Sequence, residues 1–377
     1  MSNCQYRIPC TVIAALAMAS VSIAADPLLF VSSFVTGEQG AIHSYRFDQK
    51  TGTLEPVHKH GGTPNPFFLA LSPDKKFLYS IHAKQFGSKD DEDVAAFAIG
   101  TNGRLELINK QSARGSAACF LQADATGKTI LVANYASGSV ATLPVRADGG
   151  LEPSASFIKH NGSSVIAGRQ KQPHAHCFVP SPDNRFLYAA DLGMDKILIY
   201  RLDPKTSKAT PNDPPFAMCP PGAGPRHFVF HPDGKRAYAV NELANSVTMF
   251  DFDAATGALS ARKTITTLPA DFKGTSYCAD IKISSDGRFL YATNRGHDSI
   301  AMYRLGEKES FELIGIVPSR GKGPQNLSIM PGGKWLICAN MPGDNLSVFA
   351  IAPDTGKLAP SGNTIAMPKP SCIVLGE

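Results

Sequence analysis

The sequence predicts an all-β fold, a seven-bladed β-propeller whose ring is closed by the C-terminal strand joining the first blade. Three observations predict it. A turn-and-strand motif recurs seven times, at intervals near the length of a four-stranded blade. The runs between turns are rich in Val, Ile, Phe and Tyr and hold no sustained helical period. Glycine (33) and proline (28) are frequent among the 377 residues, as short strands joined by tight turns require.

The first copy is truncated, with only Leu28-Leu29-Phe30. Ser72-Pro73-Asp74-Lys75-Lys76-Phe77-Leu78-Tyr79 is the first full copy, and 124–131 is a weaker one. Close copies follow from Ser181 to Tyr188, from His231 to Tyr238 and from Ser284 to Tyr291, and a weak seventh occupies 330–337. In the strong copies Pro-Asp or Asp-Gly marks the turn, and the aromatic-rich run after it reads as a strand. Later strands are visible too, as in Lys196-Ile197-Leu198-Ile199-Tyr200 and from Ser246 to Phe252. The copies end at 30, 79, 131, 188, 238, 291 and 337, giving intervals of 49, 52, 57, 50, 53 and 46 residues. The two most polar irregular insertions, 88–93 and 160–171, read as loops.

The first copy lacks a leading strand, and the chain ends in the strand-like Pro370-Ser371-Cys372-Ile373-Val374-Leu375. Pro370-Ser371 matches Pro66-Phe67, Pro225-Arg226 and Pro324-Gln325, which open leading strands elsewhere. The tail is expected to complete the first blade and remove the open sheet edge. One propeller domain is expected over 25–377.

Residues 1–24 read as a signal peptide. Arg7 precedes an apolar run from Thr11 to Val21, and Ser22-Ile23-Ala24 offers a small-residue cleavage site. That run is too short to span a bilayer, so no membrane association is expected. The mature protein is expected to be periplasmic or secreted. With 43% hydrophobic and 18% charged residues the chain can bury a large core. Its net charge of +5 falls to +4 (5 − 1) without Arg7, and no basic stripe supports nucleic-acid binding. The six cysteines beyond the leader form no CxxC pair, so zinc or dithiol chemistry is not indicated. They read as small buried residues, and an oxidising compartment allows some of them to pair.

Equivalent positions separate architecture from chemistry. Twelve residues before the end of each full copy stand Phe67, Cys119, His176, Arg226, Ala279 and Gln325. Three residues after it stand Ser33, His82, Asn134, Asp191, Asn241, Asn294 and Asn340, a uniformly polar set whose expected task is to tie strand ends. The next position differs in kind: Phe34, Ala83, Tyr135, Leu192, Glu242, Arg295 and Met341. Opposite charges appear there in two adjacent blades. His174 precedes His176 by two, which puts both rings on one face of an extended strand. Leading strands line a propeller's central channel, so His174, His176, Arg226, Glu242 and Arg295 are expected to converge there. A bland alternative is an ion pair between Glu242 and Arg295 in a wet channel. His-x-His without a carboxylate at ligand-like spacing gives no metal site, and no cofactor is expected.

The residues resemble the seven-bladed propeller lactonases, which include the propeller-type 6-phosphogluconolactonases and the carboxy-muconate lactonizing enzyme. The likeness is carried by Asn134-Tyr135-Ala136-Ser137-Gly138-Ser139-Val140, Gln172-Pro173-His174-Ala175-His176, Gly224-Pro225-Arg226-His227, Asn241-Glu242-Leu243 and the run from Tyr291 to Ile300. It covers nearly all of the mature chain. It implies a site using His174 or His176 with Glu242 as catalytic groups, and Arg226 and Arg295 as substrate-binding groups. Blade seven has Gln325 where the family tends to carry arginine, which removes one cationic contact. The function implied is hydrolysis of a small sugar-type lactone by water activated in the channel. Glu242 or a histidine would be the base and the arginines the oxyanion and anion contacts. The partner expected is a small anionic lactone or sugar acid. Two alternatives stand beside it: a non-catalytic exported propeller that binds a ligand or protein, in line with the YVTN-like Tyr291-Ala292-Thr293-Asn294, and a lactonizing cyclase.

Overall fold

A computed structural model describes residue 1 and residues 26–376, apart from 84, 86, 88, 308 and 309. Beyond its first residue, the expected leader 1–24 lies outside them. Seven four-stranded antiparallel sheets form the molecule, with three single-turn 3-10 segments among the connections. Six sheets use four strands in chain order. The remaining one combines Pro370–Leu375 with Leu28–Ser33, Ala41–Asp48 and Thr53–His60. The C-terminal strand therefore completes blade one, as expected, pairing Leu29 with Leu375 and Val31 with Ile373. No helix among the described residues is long and apolar enough to cross a membrane.

The core lies between neighbouring sheets. Tyr188 of blade four stacks on Phe228 of blade five at 5.6 Å, and Phe230 and Phe252 pack beside them. The Tyr that ends the strong copies in blades two, four and six reaches into the next blade. Tyr79, Tyr188 and Tyr291 donate to the carbonyls of Gly149, Gly257 and Gly356, at 3.1, 2.7 and 2.9 Å. Gly257 has φ +78°, and a Cβ there would stand 2.6 Å from the Phe186 ring, so the turn needs glycine. The uniformly polar position ties strand ends in most blades. His82 is the exception, since neither of its buried ring nitrogens has a hydrogen-bond partner among the described residues. Asn134, Asn294 and Asn340 each donate to a serine hydroxyl on the next strand and to a carbonyl of the preceding loop.

The leading strands carry the feature that builds the site. Their pairing slips by one residue between Ala118 and Phe120, Ala175 and Cys177, Pro225 and His227, and Pro324 and Asn326. The extra residues are Cys119, His176, Arg226 and Gln325. Each is the bulged residue of a β-bulge, which rotates a side chain out of the alternating pattern. Four of the six residues at the variable position are thus bulges, while Ala279 falls in a wider break between Cys278 and Ile281 and Phe67 precedes its strand.

The six cysteines among the described residues are buried and free. The expected loop at 160–171 is irregular and crosses from blade three to blade four.

Candidate active site

The bulged residues and the residues just past the second strands meet around one cavity of about 200 Å³. Cys119, His176, Arg226 and Gln325 enter it from the bulges, and Tyr135, Glu242, Arg295 and Met341 from the strand ends. Phe67 forms an apolar wall with Met341. Four of the five site residues singled out in the sequence line this cavity. The fifth, His174, stands beside it, stacked on the Tyr135 ring at 4.3 Å. His176 meets the same ring edge-on at 5.3 Å, so both imidazoles do share one side of the strand.

Glu242 is the hub. Its Oε2 accepts from Arg226 Nε at 3.1 Å and from Arg295 Nη2 at 2.8 Å, and stands 3.9 Å from His176 Nε2. Its Oε1 accepts from Arg169 Nη2 at 2.7 Å. Glu242 and Arg295 do pair, but within a cluster of three guanidiniums on one buried carboxylate. Burial alone would raise the Glu242 pKa. The charges of Arg295, Arg226 and Arg169 overcome it and hold the carboxyl below its ordinary value. Both of its oxygens are therefore occupied and ionised.

The backbone that aims Arg226 is tightly fixed. Gly224 has φ +61°, and an added Cβ would fall 2.5 Å from Leu243 Cγ. Its N–H donates to Asp195 Oδ1 at 2.7 Å, and its carbonyl accepts from Glu242 N at 2.7 Å. Arg226 Nη1 also donates to the Ala279 carbonyl and, at 3.1 Å, to His227 Nε2. His227 therefore carries its proton on Nδ1, which donates to Asp280 Oδ1 at 2.8 Å. Asp280 further accepts from Lys282 Nζ, Asn326 Nδ2 and Leu327 N, each at 2.8 Å.

The two histidines differ. His174 Nδ1 lies 2.9 Å from the Tyr135 carbonyl, which can only accept, so Nδ1 carries a proton and donates it there. His176 Nδ1 lies 3.4 Å from Cys119 Sγ. Burial, then Arg226 and His227, keep His176 uncharged with a pKa well below the ordinary value. Burial pushes the Cys119 thiol upward, so it stays protonated and is no nucleophile. Among the described residues no group of three His, Cys, Asp or Glu side chains is placed to hold a metal ion.

Arg169, Asp280 and His227 escaped the sequence reading. Arg169 sits in the insertion 160–171, outside any repeated position. The insertion does leave a signal, since it falls in the longest repeat interval, 57 residues. Its ends are fastened by acidic residues of blade four: His160 Nδ1 to Asp191 Oδ2 at 2.6 Å, Ser164 Oγ to Asp195 Oδ2 at 2.6 Å, and Gln170 Nε2 to Asp195 Oδ1 at 2.8 Å.

A family model described as "Lactonase, 7-bladed beta-propeller" matches residues 28–375. A 6-phosphogluconolactonase of Bacillus subtilis is 31% identical over 346 residues, covering 91% of this chain and 97% of the relative. A 6-phosphogluconolactonase of Formosa agariphila is 34% identical over 342 residues, covering 88% and 94%. Among solved structures, the periplasmic gluconolactonase of Pseudomonas aeruginosa superposes with a TM-score of 0.87 at 31% identity, covering 93% of this chain and 99% of that one.

Proposed function

The chain belongs to the seven-bladed β-propeller lactonase family, and we propose that it hydrolyses a small sugar-type lactone with water activated at the channel cavity. The observation that carries this reading is the convergence of Arg226, Arg295 and Arg169 on buried Glu242 beside two imidazoles. The names of its relatives support the substrate class, and the cavity of about 200 Å³ suits one sugar ring.

Glu242 serves as the anchor that aims the guanidiniums. With both oxygens engaged and its pKa lowered, it is a poor proton acceptor. His174 is the better base, because Nδ1 is taken up by the Tyr135 carbonyl and the ring's proton-accepting position is then Nε2. Water oxygen bonds to the lactone carbonyl carbon as its proton passes to His174. The tetrahedral oxyanion faces Arg226 and Arg295, where preorganised donors lower the barrier. The carbonyl carbon–ring oxygen bond then breaks, His174 returns the proton to the departing alkoxide, and a hydroxy acid is released. His176 orients the substrate.

The leader expected at 1–24, together with the periplasmic P. aeruginosa relative, supports an exported enzyme. Turnover of a panel of aldonolactones by wild type, Arg226→Ala, Glu242→Ala, His174→Ala and His176→Ala tests the reading. Loss of an oxyanion donor is expected to lower kcat about 100- to 1,000-fold, and His174→Ala is expected to cost more kcat than His176→Ala. Equal activity in all five proteins would overturn the assignment. Tight sugar-acid binding without turnover would favour a binding scaffold instead.

A further inference from the structure

The three guanidiniums around Glu242 differ in how many of their donors the protein already occupies. Each guanidinium has five N–H bonds. Arg295 commits Nε to the Tyr277 carbonyl, Nη1 to Gln325 Oε1, and Nη2 to Glu242 and the Cys278 carbonyl. Arg226 is held by Glu242, His227 and Ala279, and only 2% of its side chain is exposed. Arg169 donates through Nη2 alone, to Glu242 and, at 3.3 Å, to Tyr135 Oη, while 34% of its side chain is exposed. Its Nε and Nη1 meet no acceptor among the described residues. Charge points the same way. Three guanidiniums face one carboxylate, leaving an excess of two positive charges (3 − 1) beside an uncharged His176.

We infer that Arg169 is the specificity-determining residue of this site, selecting lactones that carry an anionic oxygen group, phosphate or carboxylate, away from the ester. The inference rests on the lactonase reading for its chemistry. On ligand entry the guanidinium turns from Glu242, which frees Nη2, and grips the anion with Nη2 and the unoccupied Nε on the same edge, the planar fork suited to such groups. Arg226 and Arg295 remain on Glu242 for the reacting carbonyl. Arg169 is not needed to hold its own loop down. Ser164 and Gln170 fasten that loop to Asp195, and His160 fastens it to Asp191, so the arginine's side chain moves on a fixed backbone. Its ring partner, Tyr277, lies 5.3 Å below the guanidinium and is 38% exposed, which leaves the approach open.

The experiment measures kcat/KM of wild type, Arg169→Gln and Arg169→Lys on three probes: 6-phosphogluconolactone, carboxylate-bearing glucaro-1,4-lactone and uncharged glucono-δ-lactone. Arg169→Gln is expected to lose about 10- to 100-fold more on a charged probe than on the uncharged one, as loss of charged hydrogen bonds implies. The charged probe that shows this gap identifies the anion recognised. Arg169→Lys, which keeps the charge but not the fork, should recover part of it. Equal losses on all three probes would overturn the inference while leaving hydrolysis intact. Should wild type turn over no lactone, the lactonase reading fails. Titration calorimetry with 6-phosphogluconate, glucarate and gluconate then decides separately, since the inference requires Arg169→Gln to weaken at least one of the first two more than gluconate and is overturned if all three are weakened alike.

Discussion

Glu242 and Arg226 stand out in the sequence because they fail to repeat, and the fold explains why that test works. A position that serves the blade is the same in every blade, while a site in a ring needs different groups from different blades. The test is blind in two ways. It does not see Arg169, which lies in an insertion, and it stops one residue short of Asp280. The position next to the bulges reads Phe68, Phe120, Cys177, His227, Asp280 and Asn326. Its last three members form one network, His227 to Asp280 to Asn326, with Asn326 Oδ1 accepting from Ile373 N in blade one. Asp280 is wholly buried and accepts four donors there, Lys282 among them. Removing one member of a buried charged pair costs about 3–5 kcal/mol, less where the partner is part-exposed, as Lys282 is at 34%. Asp280→Asn is therefore expected to cost about 2–3 kcal/mol, read as a lower urea midpoint. A shift below about 0.5 kcal/mol would show the network to be idle. The same variant should lower lactone turnover through Arg226, because the amide has one acceptor oxygen for four donors, and turning it towards Asn326 and Leu327 takes it from His227.

At the scale of elements, the turns and second strands were legible because Pro-Asp, Asp-Gly and the aromatic run are local signals. The bulges were not. A bulge adds one residue to a strand without changing its composition, so Pro225-Arg226-His227 reads as plain alternation. Only the pairing of Pro225 with Asn241 and His227 with Val240 exposes the extra residue. Closure by 370–375 was legible from a missing strand at one end and a spare one at the other. The terminal Tyr of the repeat read as a blade residue, but its partner did not, since Gly257 lies 69 residues away from Tyr188. That bond is buried and neutral, the kind that contributes about 1 kcal/mol. Tyr188→Phe is expected to lose about that much in a urea melt with an unchanged m-value. A variant as stable as wild type would mean the hydroxyl only fills space between blades four and five.

The whole molecule carries a pH dependence that no single blade reveals. His82, His176 and His227 are buried in blades two, four and five, and each resists protonation. Burial, then Lys110 and His60, bring His82 to about 3. Burial and the Arg226 charge bring His227 to about 4 against the pull of Asp280, and His176 falls well below its ordinary value. Unfolded, all three would titrate near 6.5, so below that pH the unfolded chain binds protons the native state refuses. Stability from these groups is full above 6.5 and is lost as pH falls towards the native values. Glu92 works the other way. Burial raises it to about 7, against donation from the Gly87, Ala118 and Ala117 N–H groups, so the native state holds one proton there that the unfolded chain releases above about 4.5. Near pH 5.5 the balance among these four groups is roughly three protons against one, which gives them a slope of about 2–3 kcal/mol per pH unit. His43 and His60, also lowered by burial, act in the same direction. Urea midpoints at pH 7.0 and 5.5 should therefore drop together with pH, well before any carboxylate of the site protonates, because the arginines hold Glu242 low. His82→Phe should remove about a third of the histidine contribution to that slope while leaving the cavity untouched, since His82 packs on Phe97 and lines no part of it. Stability that is flat or rising from pH 7.0 to 5.5 would mean that His176 and His227 take up protons in the native ring, adding positive charge beside the three guanidiniums gathered on Glu242.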